Sequence, residues 1–147
     1  MPGSRENPIP TVGVVVFDPE ACAVLLVYHE DAAPYAPAES YSLPLGRFDP
    51  HETPAGAAAR ALAEQTGVDV LPGALKPTGY GYTAHIEIKG AHMWYSLRTF
   101  LLLTERNVAI LEPAAGCAPE WVPRDAVASL PGAPDLEVIV HDAVAEC

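Results

Sequence analysis

A chain of 147 residues, half of them apolar and 18% charged, has globular composition and enough length to bury one core. Its net charge of −11, from eight basic residues against nineteen acidic ones, leaves no basic patch to displace counterions from a nucleic-acid polymer. No apolar run approaches a membrane span, and three distant cysteines without a Cys-x-x-Cys pair indicate neither a thiolate zinc site nor a disulfide framework.

With no repeat and no compositional shift, the simplest organisation is one domain over residues 1–147. "MPGSRENPIP" (1–10) carries two charges and three prolines, so it reads as a flexible or extended N-terminal segment without the apolar run of a secretory leader. A cytoplasmic address is the expectation. "TVGVVVFD" (11–18) and "CAVLLVYHE" (22–30) are β-branched and apolar and read as neighbouring strands, with Cys22 a small buried hydrophobe. "DAAPYAPAES" (31–40) is an aperiodic loop, and "YSLPL" (41–45) a short strand running into Gly46. Residues 53–66 form the clearest helix: Thr53 suits the N-cap, Pro54 the first helical position and Gly67 the position just past the end.

Two long aromatic and apolar runs follow, 74–88 and 92–104, with Lys89-Gly90 as a hairpin turn between them. Residues 111–120 read as a loop, and "WVPRDAVASL" (121–130) as a strand end passing into a short helix. From Pro134 onward, Leu136, Val140 and Val144 recur at helical spacing, although Val138-Ile139-Val140 also suits a strand. The sum is an α/β (α+β) sandwich: a mixed central sheet with helices packed on it.

The stretch "GRFDPHETPAGAAARALAEQTGV" (46–68) carries the chemistry. Gly46, Glu52, Arg60, Leu62, Glu64, Gly67 and Val68 stand at the spacing of the Nudix box, so the chain resembles the Nudix hydrolase family. The surrounding order of strands, helix and hairpin, with Glu120-Trp121-Val122-Pro123 before the last helices, extends the resemblance over nearly the whole chain. It implies an α/β/α sandwich in which Gly46 and Gly67 permit the backbone path, Leu62 and Val68 pack, and Glu52 pairs with Arg60 to hold the loop against the helix. It also implies magnesium or manganese bound by carboxylates at three positions, which here are Ala61, Glu64 and Gln65.

Helical geometry explains why those three positions act together: at ~100° per residue, position 64 lies about 60° to one side of 61 and position 65 about 40° to the other. Only Glu64 keeps a charge. It is therefore the candidate catalytic residue, with Gln65 offering an amide oxygen and Glu120 a further carboxylate to the metal. Glu112 and Glu87 are alternative sources of an acid, and Asp49 and His51 lie within the box loop. Arg47, Tyr28 and Arg98 are the candidate substrate contacts; His85 and His92 also lie on predicted strands. Two functions follow. One is a divergent hydrolase cleaving a pyrophosphate linkage in a nucleoside diphosphate derivative or related small molecule. The other is a catalytically impaired ligand-binding or regulatory protein of the same fold. Either takes a small phosphorylated ligand, and the aromatic hairpin offers a homodimer surface.

Overall fold

The computed structural model describes residues 3–88, 90–105, 108, 113 and 116–145. In chain order, strands β1 (Ile9–Asp18), β2 (Ala23–His29), β3 (Ser40–Ser42) and β4 (Leu45–Arg47) lead into helix α1 (Pro54–Thr66). Strands β5 (Lys76–Ile88) and β6 (Ala91–Leu103) form the hairpin, and β7 (Ala118–Pro123) precedes a 3-10 turn at Arg124–Ser129 and helix α2 (Leu136–Ala143).

Among the described residues one sheet of seven strands runs β3-β2-β1-β6-β5, with β4 on β1 and β7 on β2. β1 lies parallel to β6 from Ile9 opposite Tyr95 to Phe17 opposite Leu103, and the other pairings are antiparallel, so the sheet is mixed. A central strand covered on both faces can be apolar throughout, which is the composition of "TVGVVVFD". Its side chains alternate between two cores. Val12, Val14 and Val16 join Leu25 and the α1 residues Ala57, Ala58 and Leu62. Val15 and Phe17 join Val24, Leu26 and the α2 residues Leu136, Ile139 and Val140. The expected sandwich, a mixed sheet between helices, is therefore what forms.

Several boundaries differ from the sequence reading. The strand expected over 41–45 is two strands, because Pro44 has no N–H to continue a ladder. β3 pairs with β2 and β4 with β1, while the Pro44 carbonyl accepts from Val14 N–H at 3.0 Å. That break opens the sheet beside α1. Residues 118–120, expected in a loop, open β7, where Pro119 is tolerated because β7 pairs on one side only. The N-terminal segment is tied down from Gly3 onward: Trp94 N–H donates to the Gly3 carbonyl at 2.7 Å, and the Arg5 guanidinium sits 5.6 Å from the Trp94 ring centre.

The Val138-Ile139-Val140 ambiguity resolves as helix: Ile139 and Val140 are buried and Val138 is half exposed. The buried Arg124 donates to the Val144 carbonyl at 2.8 Å, satisfying an acceptor at the helix end. Tyr82 ties β5 to α2 by donating to Asp142 at 2.7 Å. Cys22 is not the free buried hydrophobe expected of it, but is disulfide-bonded; an odd number of distant cysteines does not reveal pairing. Among the described residues no helix is long and apolar enough to cross a membrane.

Candidate functional site

The site is built on the junction of β4 and α1. Thr53 accepts the Gly56 N–H at 3.1 Å, Pro54 begins the helix where its missing N–H is not needed, and Gly67 ends it in the left-handed conformation at φ 76°. The loop from β4 is locked to this helix by Arg60. Its Nε donates to Glu52 Oε2 at 2.8 Å, and its Nη2 donates to Glu52 Oε1 at 2.6 Å and to the Arg47 carbonyl at 2.7 Å. This forked pairing holds the Glu52 carboxyl below the usual glutamate range and the guanidinium above its own. Helix and loop approach closely because residue 46 is glycine: a Cβ there would stand 3.1 Å from the Ala61 Cβ.

The three box positions expected to be acidic present very different groups. Ala61 is 1% exposed and contributes a methyl to the contact with Gly46. Glu64, with a side chain 57% exposed, lies 3.6 Å from Arg60 Nη1 as an i,i+4 ion pair. Gln65 accepts the Leu45 N–H through Oε1 at 2.9 Å. Its amide oxygen therefore serves the β4 backbone, and its nitrogen can only donate. Magnesium is held by oxygen ligands that are chiefly carboxylates, phosphates and water. One ion-paired carboxylate, one committed amide oxygen and one methyl do not fit the multi-carboxylate metal cluster the fold family implies. Consistent with this, no group of three His, Cys, Asp or Glu among the described residues is arranged to hold a metal.

Glu120 does not remedy the deficit. It stands opposite Leu26, whose side chain belongs to the core on the α2 face, and it accepts the Tyr41 hydroxyl at 3.0 Å. It thus projects from the side of the sheet away from α1, so its expected place beside Glu64 is corrected. Glu87 sits near the hairpin turn, 3.8 Å from His92, and Glu112 lies outside the described residues. His51 and Asp49 are exposed in the box loop, where the Asp49 N–H supports Glu52 at 3.3 Å.

A cleft of about 260 Å³ opens between α1, β4 and the 31–40 loop, with His29, Tyr35, Arg47, Arg60, Glu64 and Gln65 on its walls. It shares His29 and Gln65 with a neighbouring cleft of about 510 Å³ that reaches Tyr28 and Cys117. Burial, and secondarily the charge of Glu64, push the Cys117 thiol up. Of the predicted ligand contacts, Arg47 and Tyr28 border these two clefts. Arg98 does not. It lies in a third cleft of about 430 Å³ with Phe48 and Tyr80, beside the irregular β5–β6 pairing between Pro77 and Gly81.

Sequence reasoning missed His29 and Tyr35. His29 is 2% exposed, and burial depresses its pKa, favouring the neutral ring. Ser42 Oγ donates to the Leu43 carbonyl at 2.8 Å, so His29 Nε2 must donate to that oxygen across their own 2.8 Å contact. Nδ1 is then an acceptor, with no protein partner among the described residues. Strand alternation carried the signal, since His29 falls on the same face of β2 as Leu25, the face that α1 covers. Tyr35 came from a loop without periodicity, and only packing fixes it: its ring meets Tyr95 edge-on at 5.2 Å.

The sequence model of the NUDIX domain matches residues 7–143. Among solved structures, the chain is similar to the NUDIX domain of Shewanella oneidensis NrtR complexed with ADP ribose: 22% identity, 92% of this chain and 86% of that one, TM-score 0.72. It is also similar to the Escherichia coli dihydroneopterin triphosphate pyrophosphohydrolase (19% identity, 94% and 96% coverage, TM-score 0.71) and to the Mycobacterium smegmatis Nudix hydrolase RenU (24%, 91% and 81%, TM-score 0.58). At these identities the structural likenesses fix the fold alone. No curated protein matches the chain significantly in sequence.

Proposed function

The chain belongs to the Nudix family, and on that premise we propose that it recognises a small molecule containing a pyrophosphate linkage, such as a nucleoside diphosphate derivative, with little turnover. The observation that carries this reading is the fate of the three box positions: Ala61 buried, Gln65 bonded to Leu45, and Glu64 paired with Arg60. The parts that build the cleft are kept, and the parts that would supply a base and a metal cluster are not. Loss of a positioned acid or base commonly costs roughly 10²–10⁴ in rate. A Nudix domain similar in fold, that of Shewanella oneidensis NrtR, was solved with ADP ribose, which supports a ligand of that class. Isothermal titration with ADP-ribose tests binding, and phosphate-product release in magnesium or manganese tests turnover. Binding with negligible release is expected, and vigorous wild-type hydrolysis sinks the reading.

A second reading, a metal-dependent hydrolase of the same linkage, is favoured by one observation. Glu64 remains charged, largely exposed and on the cleft wall. Under that reading hydrolysis is measurable and Glu64→Gln abolishes it; activity indifferent to that substitution removes Glu64 from the chemistry.

A further inference from the structure

We propose that the cleft grips the phosphates of its ligand directly, through the Arg47 guanidinium, the Tyr35 hydroxyl and the Gln65 amide NH2, without a bridging divalent metal. The proposal rests on the reading that the cleft takes a pyrophosphate ligand, and it assigns to Gln65 a role opposite to that of the glutamate the family pattern carries there.

Hydrogen-bond logic fixes the orientation of Gln65. The Leu45 N–H can only donate, so the atom it meets at 2.9 Å must be the amide oxygen. The Nε2 protons then lie on the other limb of the amide. They have no acceptor among the described residues, on a side chain that lines both clefts. A carboxylate at this position would present a second acceptor, and glutamine presents a donor pair.

Charge points the same way. Arg60 is engaged by Glu52, by the Arg47 carbonyl and by Glu64, so its single charge is already shared between two carboxylates. Arg47 is exposed and makes no ion pair among the described residues. Arg47 is thus a cation on the cleft wall that no carboxylate among the described residues already holds, on a molecule whose net charge is −11. A guanidinium placed so can meet the oxygens of an anionic ligand. Tyr35 completes the set. Its ring is held against Tyr95, its hydroxyl is near enough to Arg47 to feel that charge, and it makes no hydrogen bond among the described residues. Three donor side chains from a loop, a strand end and a helix therefore line one cavity. Arginine adds the forked geometry that suits phosphate oxygens.

The test is calorimetric titration of the full chain with ADP-ribose, and in parallel with inorganic pyrophosphate, in excess EDTA and in excess magnesium. Affinity unchanged by EDTA is expected. In EDTA, Arg47→Ala and Gln65→Glu should each weaken binding about tenfold or more. Gln65→Glu retains an acceptor for Leu45, and melting curves of the unliganded variants verify that both fold. Binding that appears only with magnesium, or that tightens in Gln65→Glu without metal, overturns direct recognition while leaving the functional reading standing. Failure of both probes to bind under either condition overturns the functional reading itself, and the inference with it.

Discussion

At the scale of single residues, two titrating groups give the fold a two-step response to acid. His29 has its pKa lowered by burial, and Glu52 has its own lowered chiefly by the hydrogen bonds from Arg60. A group depressed in the fold adds stability above its ordinary value and loses it as pH falls toward and through the folded one. Stability should therefore decline first below 6.5, as His29 is driven to protonate, and again below 4.5, as Glu52 is neutralised. Urea-unfolding midpoints between pH 7.5 and 3.5 measure this. Replacing His29 with Gln should erase the upper step, and an upper step that survives assigns it to another group. Ser42, buried beside His29, matters by the same bond. Ser42→Ala leaves a buried imidazole N–H unsatisfied and should cost about 1–3 kcal/mol in denaturant unfolding.

At the scale of the element, α1 is held by its ends and by one close contact. Gly67→Ala forces a Cβ into the left-handed conformation at φ 76°, with an expected loss of about 1–2 kcal/mol. Gly46→Ala brings a new methyl to 3.1 Å from Ala61 across the packed loop–helix seam. Overpacking of that kind costs about 1–3 kcal/mol. Thermal melts of the two variants check both values, and a Gly46→Ala protein as stable as the parent would show that the seam yields freely. The helix was legible in sequence to within a residue, because cap chemistry at Thr53, Pro54 and Gly67 is local. The strand break at Pro44 was not read, because which neighbour each half joins is a matter of sheet order.

At the scale of the whole molecule, β1 and β2 run through both cores and the clefts lie at their margin. Val14, Val15, Val16, Val24, Leu25 and Leu26 are fully buried. Their amides should exchange with deuterium at the slowest rates, set by global unfolding, while Asp31, Ala32 and Ala38 in the exposed 31–40 loop exchange first. Hydrogen-exchange mass spectrometry of peptides from the two regions tests this. Equal protection would mean that the cleft loop is part of the core unit. Binding of ADP-ribose should then slow exchange in the loop near Tyr35, with little change in the central strands.

The sequence by itself determined the fold class, the loop–helix box and the pairing of Glu52 with Arg60. The first rests on strand and helix patterning, the second on capping chemistry, and the third on what the resemblance to the Nudix box implies for those two positions. It also exposed the missing acids at Ala61 and Gln65. Only the tertiary structure decided what surrounds them. Sheet register put Glu120 on the face away from Glu64, brought His29 from β2 and Tyr35 from a loop to one cleft, and carried Arg98 to another. Such convergences depend on strands paired at long sequence separation and on which face each side chain takes, neither of which is encoded within a local window. Gln65 shows the division most plainly: the sequence names the amide, and the Leu45 N–H opposite decides which end of it is the oxygen bound to β4.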